Sequence, residues 1–242
     1  MKKVFVLLFL SYNVICVGQQ NRKNKFDDIG RQHNQILFDL INSNTLKMAK
    51  TSNIKDPYKI YLKFLDECCE RKMSCCGSPG PTKPINEEII LFHKALTPKT
   101  TFLEVFRQNY TIPNPGRSPL EDWFWKLWEL YRTKKLEKAA TNNDFNEIIA
   151  IEDMIISDKK ISSNDKEYLL KTTSIMRYSY KFWSDVKFNP KNPYFNPNLK
   201  QFPWGSDVDG AIGGYRLGGG WGALGGAAFC SGVELIKDYF FN

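Results

Sequence analysis

Apolar residues recur at intervals of three and four along most of this chain, the spacing of one buried helix face. Ile29, Ile36, Leu37, Leu40 and Ile41 mark a helix from about Phe26 to Lys50. Ile60, Tyr61, Phe64 and Leu65 mark a second, from about Pro57 to Arg71. It must stop at "CCGSPGP", where Gly77, Pro79, Gly80 and Pro81 forbid continuation. A third is expected from about Asn86 to Leu96. The fourth is the best specified. Ser118 is its N-cap, Pro119 takes the first helical position and Glu121 stands three residues after the cap; "DWFWKLWELYRTKKLEKAA" then runs to about Ala140. Lys134, Lys135 and Lys138 suit the negative end of its dipole. Two more helices are expected, about Phe145 to Ile156 and Asp165 to Asp185, the latter capped by Asn164. No hairpin dipeptide sits between alternating runs. The pattern predicts an all-α protein, a bundle of about six helices over residues 19–188.

From Asn189 to Gly205 four prolines interrupt the pattern, and residues 189–205 read as a Pro/Asn-rich linker to an appended segment, 206–242. Between Gly210 and Gly226, nine of seventeen residues are glycine, and Gly210, Gly214, Gly218, Gly222 and Gly226 recur at every fourth position. Ser206 with Asp209 reads as a capping box, and Asp207 and Asp209 suit the positive end of a helix dipole. Glycines four apart lie on one slowly drifting row, which admits another backbone closely. Each glycine inside a helix is unfavourable by roughly 1 kcal/mol relative to alanine. The segment therefore needs a partner: another helix, a copy of itself, or lipid. Gly218, Gly219 and Gly220 offer a hinge that would fold it into a helical hairpin. Seventeen uncharged residues lie between Arg216 and Glu234. As a helix they reach roughly 25 Å, a little short of the ~30 Å bilayer core. Trp221, Phe229, Tyr239, Phe240 and Phe241 are the expected interfacial anchors. Gly220, Gly222 and Gly225 satisfy G-x-G-x-x-G but lack the preceding strand and the later acidic residue of a nucleotide loop.

The first eighteen residues change the setting. Lys2 and Lys3 precede the apolar run "VFVLLFLSYNVICV", and Cys16 and Gly18 place small residues before Gln19. That is the pattern of a signal peptide, residues 1–18, and makes the expected location exported: periplasm, outer envelope or extracellular. The full chain carries 34 basic and 26 acidic residues; loss of Lys2 and Lys3 leaves 32 basic. This mild excess suits an anionic lipid or polysaccharide surface. The basic residues are dispersed and no nucleic-acid motif accompanies them, so no nucleic-acid partner is expected.

Glycine at every fourth residue after an acidic cap resembles the glycine-zipper segments of bacteriocin-like peptides. A leader ending before "QQ" together with such a tail is similar to exported proteins of the Bacteroidota type. The resemblance covers about 20 leader and 30 tail residues, and a long helical domain is foreign to the peptides. It implies membrane insertion or oligomerisation through Gly210, Gly214, Gly218, Gly222, Gly226 and Trp221.

Other chemistry is sparse. Cys68, Cys69, Cys75 and Cys76 form CC-x5-CC, which in an exported chain reads as a disulfide staple, one doublet to the other, rather than a zinc site. Cys230 stands alone in the tail, either buried or linking two copies. Trp123, Phe124, Trp125, Trp128 and Tyr131 crowd the fourth helix in several directions; core packing accounts for part, and Trp123, Trp125 and Trp128 are the candidate surface for a sugar or envelope protein. His33 and His93 belong to no metal-ligand motif, and neither a nucleophile elbow nor a phosphate loop is present. No cofactor or metal is expected. The reading is an exported, non-catalytic protein in binding or assembly at the cell envelope. The competing reading is a secreted hydrolase built from scattered carboxylates. Perturbed carboxylates in a pocket of the bundle would favour it.

Overall fold

The computed structural model describes residues 20–49, 51, 54, 56–70, 87–96, 118–133, 135–197 and 204–241. Among them the chain is all-helical, with nine helices and no strand. In chain order they are α1 Asp28–Asn42, α2 Asn44–Ala49, α3 Pro57–Glu70, α4 Glu87–Ala95, α5 Pro119–Arg132, α6 Lys135–Asn142, α7 Asn146–Ser157, α8 Ser163–Phe188 and α9 Trp204–Phe241. The leader expected at 1–18 and the "CCGSPGP" turn lie outside the described residues.

Two expected helices are each divided. The first breaks at Ser43, whose backbone is extended. Its hydroxyl donates to Leu40 O and accepts from Leu46 N, ending α1 and capping α2 with one side chain. The fourth breaks after Arg132, separating α5 from α6. The Ser118 cap holds, its hydroxyl accepting from Glu121 N at 3.1 Å. α8 is capped by Ser162 rather than Asn164: Ser162 Oγ accepts from Asp165 N, and the helix starts two residues earlier than expected.

α8 is the axis of the molecule. From Tyr168 to Tyr180 every residue is buried, although Lys171, Thr172, Thr173, Ser174, Arg177 and Ser179 are polar. A helix with no solvent face must satisfy its polar groups internally. Thr172 Oγ1 donates back to Tyr168 O at 2.9 Å, and Ser174 Oγ donates to Asp27 O at 2.8 Å while accepting from Gly30 N. Arg177, fully buried, binds Asp27 and, through Nε at 3.1 Å, Glu152 of α7. Asn21 joins this knot, its Nδ2 donating to Glu152 Oε2 at 2.7 Å. The small side chains on α8 also let α1 close in. A Cβ at Gly30 would fall within 3.0 Å of Ser174 O and the Tyr178 ring.

The glycine segment shares this core. Val208, Ala211, Ile212, Ala223, Ala227, Phe229, Val233 and Ile236 are buried in one cluster with residues of α1, α3, α7 and α8. The expectation of an appendage is therefore corrected. The described part of the expected linker is docked as well: Asn196 N donates to Val186 O at 2.7 Å, and the Tyr194 ring packs edge-on to Phe38.

α9 does not run straight. Sixteen residues of straight helix would separate Gly210 from Gly226 by about 24 Å. A Cβ at Gly210 would instead lie within 3.0 Å of Gly226 O and of Cys230 Sγ, and one at Gly214 within 3.0 Å of Gly222 O. The helical path doubles back between these residues, giving two arms in backbone contact. The first arm runs antiparallel to α8: Tyr215 OH donates to Asn164 O, Tyr168 OH to Ile212 O, and Asp207 meets Ser179 and Trp183. The second arm carries Phe229 into a ring cluster with Tyr58, Tyr61 and His93.

Candidate functional site

The seam between the arms is made of glycine on both sides. Gly210, Gly214 and Gly226 face backbone atoms, which a side-chain rotation cannot clear, and Gly222 enters through its carbonyl. Gly218 lies in the helical stretch where the path turns; Trp221 has its backbone in α9 and its side chain outside the described residues. Gly213 faces the Phe92 ring and Gly232 faces Tyr61 and Leu40, contacts with movable side chains.

At one end of the seam the structure assembles polar residues that the sequence does not connect. α1 supplies His33 and Asn34, α8 supplies Ser179 and Trp183, and the first turn of α9 supplies Asp207. Asp207 Oδ2 accepts from Ser179 Oγ and, at 3.0 Å, from Trp183 Nε1. His33 Nε2 stands 3.7 Å from the same oxygen, with neither side chain exposed. The imidazole tautomer follows from its other neighbour. Asn34 Nδ2 donates to Tyr178 O, so its carbonyl oxygen is the atom 3.1 Å from His33 Nδ1. An amide oxygen only accepts, so Nδ1 carries the proton and Nε2 turns a lone pair toward Asp207.

Burial decides the charge state. It pushes the Asp207 carboxyl up to about 8, against the lowering effect of the Ser179 and Trp183 hydrogen bonds. It lowers His33 to about 4, although Asn34 and the Ala227 carbonyl favour the protonated ring. At neutral pH the contact is therefore a neutral carboxyl facing a neutral imidazole, not an ion pair. Asp209 is held well above its usual range by burial and by the Asp207 charge. Cys230, a free and fully buried thiol, is pushed up by burial and then by Asp209 and Asp207. Asp207 and Asp209, expected at the positive end of a helix dipole, do stand near the start of α9, and both are buried in the core.

The two shifts oppose each other in stability. The usual values are 3.8 for the aspartate and 6.5 for the histidine. Unfolding releases the Asp207 proton above pH 3.8, so that stability is lost as pH rises toward 8. The His33 contribution is lost as pH falls from 6.5 toward 4. From about pH 4 to 6.5 the slopes cancel; from 6.5 to 8 only the loss from Asp207 remains, at about 1.4 kcal/mol per pH unit. Asp207→Asn is therefore expected to gain about 2 kcal/mol on wild type between pH 6.5 and 8. Urea unfolding at both pH values checks this. A constant difference would mean that Asp207 is already ionised at pH 6.5.

A second polar group ties α3 and α4 to the second arm. His93 Nε2 lies 3.3 Å from Glu234 Oε1, and His93 Nδ1 is 3.1 Å from Tyr58 OH. Burial pushes Glu234 up, but the His93 and Lys237 hydrogen bonds and charges outweigh it and leave the carboxylate below its usual range. The Tyr58 phenol is raised by burial and by Glu234, which leaves it a hydrogen-bonding group rather than an activated nucleophile.

The aromatic helix is largely core. Trp123 is buried with its Nε1 donating to Asp158 Oδ2 at 2.8 Å, and Phe124 is fully buried against Tyr168. Trp125 is half-buried against the same core, and the Trp128 side chain lies outside the described residues. As a partner surface, Trp123 is thus withdrawn into the interior. Cys68 is buried in the core near the end of α3, and Cys75 and Cys76, the expected partners of the Cys68–Cys69 doublet, fall outside the described residues. Among the described residues no cluster of His, Cys, Asp or Glu is arranged to hold a metal, and no helix is long and apolar enough to cross a membrane.

Comparison of the chain with family models, with curated proteins and with solved structures finds no match.

The His33–Asp207 contact was not readable from spacing, because the two residues lie near opposite ends of the chain. The one local signal was a pair of acids near the start of a helix whose next six residues, Gly210 to Tyr215, carry no charge.

Proposed function

We propose that this is an exported, non-catalytic helical protein acting in binding or assembly at the cell envelope, with the glycine zipper of α9 as its working part. The observation that supports this reading is the backbone-on-backbone seam at Gly210, Gly214 and Gly226. Ten glycines between Gly210 and Gly232 disfavour a helix by about 10 kcal/mol relative to alanine, and close approach is what they provide in return. A row that fits its own continuation also fits another copy. Because no described helix is long and apolar enough to cross a membrane, self-association is favoured over spanning a bilayer.

The test is fractionation of the mature protein from cells, with high-salt and carbonate washes, combined with chemical cross-linking. Association that resists the salt wash, and is lost in Gly218→Leu with circular dichroism unchanged, is expected. A monomer that never enters the envelope fraction would refute the proposal.

The hydrolase reading retains one point of support, the raised carboxylates Asp207 and Asp209 beside His33. It requires water to reach groups that are buried on all sides. Cys230 reports on this: the buried thiol is expected to resist a small thiol reagent for hours in the native protein. Modification within minutes would show an open site and favour catalysis.

A further inference from the structure

We infer that the loop closing the end of α8, residues 186–196, is a docking surface for an anionic lipid membrane. Its exposed rings enter the edge of the acyl layer and its lysines meet the lipid phosphates. The inference rests on the envelope reading for its setting and not on the glycine seam.

The loop is closed and tied down. Asn196 N donates to Val186 O at 2.7 Å, which joins its two ends. Inside it, Asn192 N donates to Asn189 O at 2.8 Å and Phe195 N to Asn192 O at 3.0 Å. The side chains of Asn189 and Asn192 accept from Lys191 N and Tyr194 N, bracing both turns. Tyr194 fastens the loop to α1, its hydroxyl bonded to the Asn42 amide and its ring edge-on to Phe38.

On this ordered frame two rings face water. Phe188 is 58% exposed and Phe195 37%; they are the aromatic two of the five large apolar side chains exposed among the described residues. Both stand near the closure, since Phe195 precedes Asn196 and Phe188 lies two residues beyond Val186.

Charge identifies what covers them. No acidic residue occurs from Val186 to Pro197, and Asp185 just before it is paired with Lys181 at 2.6 Å. Lys191 is exposed, and Lys187 Nζ stands 5.7 Å from the centre of the Phe188 ring. Apolar rings beside ammonium groups match a membrane interface, where the ring lies at the acyl boundary and the cation reaches the phosphate. Each lysine near an anionic leaflet adds severalfold to the affinity. An acidic polysaccharide would satisfy the lysines but offers no acyl phase to the rings.

The experiment floats the mature protein with vesicles of phosphatidylcholine alone, or with about one-third phosphatidylglycerol, at low and high salt. Wild type is expected to bind the anionic vesicles at low salt about ten-fold or more tighter than the neutral ones. Phe188→Ser combined with Phe195→Ser should weaken that binding by about ten-fold. Lys187→Gln combined with Lys191→Gln should weaken it by about ten-fold and flatten its salt dependence. Leu91→Ser removes a side chain 63% exposed on α4 and should bind as wild type does. Circular dichroism checks that each variant is folded. Wild type that binds neither kind of vesicle would overturn the inference, as would a folded double-serine variant that binds as Leu91→Ser does. Capture on an acidic polysaccharide that needs the lysines but not the rings would overturn it in favour of that polymer. Loss of vesicle binding in Gly218→Leu, with binding kept in the double-serine variant, would move the lipid contact to α9 and leave the envelope reading standing. Vesicle binding that needs the rings, by a protein that never enters the envelope fraction, would support this surface and refute that reading.

Discussion

Gly214→Leu is expected to destabilise the protein by about 3–5 kcal/mol, among the largest effects of any single substitution on the chain. A Cβ there would lie within 3.0 Å of Gly222 O and at 3.0 Å from Gly226 Cα. Both are backbone atoms, so relief requires the arms to part, and parting them uncovers Ala223, Ala227 and Cys230 together. Two controls isolate the seam. Gly213→Ala meets only the Phe92 ring, which can rotate away, and should cost less than about 1.5 kcal/mol. At Gly225 nothing lies within 4 Å, so Gly225→Ala should be neutral or stabilising by up to about 1 kcal/mol through helix propensity. Urea midpoints rank the three. If Gly214→Leu and Gly225→Ala unfold alike, the arms are not in contact.

Arg177→Met is expected to have a comparable effect for a different reason. The guanidinium is fully buried between Asp27 and Glu152, and its removal leaves two carboxylates inside the protein without their counter-charge. Breaking such a pair from one side costs about 3–5 kcal/mol, whereas replacing all its members costs far less. Arg177→Met combined with Asp27→Asn and Glu152→Gln should therefore recover much of the loss. The pH profile separates charge from packing. Burial holds Glu152 above its usual range even with Arg177 beside it, so without Arg177 its protonation should begin at higher pH. The single variant should then be relatively less destabilised at pH 5 than at pH 8. Equal destabilisation at both pH values would assign the loss to packing alone.

The sequence showed the elements more clearly than their arrangement. Ile29 to Ile41 and the Ser118 cap carried local signals strong enough to place α1 and α5, because a buried face and a cap are properties of neighbouring residues. Ser43 and Arg132 did not announce their breaks: a single serine and a run of cations fit a helix as well as its end. The depth of α8 was hidden for a related reason. Thr172, Thr173, Ser174, Arg177 and Ser179 are polar, and only partners far along the chain make them interior. Glycine spacing in α9 did show that a backbone had to come near. It could not show that the approaching backbone was α9 itself, since a row that fits a neighbour fits its own continuation equally well.

The knot around Arg177 has a consequence for the order in which this chain can fold. Asn21 reaches Glu152 across 131 positions, and Asp27 reaches Arg177 across 150. Closing loops of that size is entropically slow, and neither contact can form before α7 and α8 have left the ribosome. The polar seam at Asp207 waits longer still. The contacts that seat the first helix against α7 and α8 therefore form only late in synthesis, after the local ties of Asn44 and Thr45 to Glu67. That order arises from where the contacts lie along the chain rather than from any weakness in them.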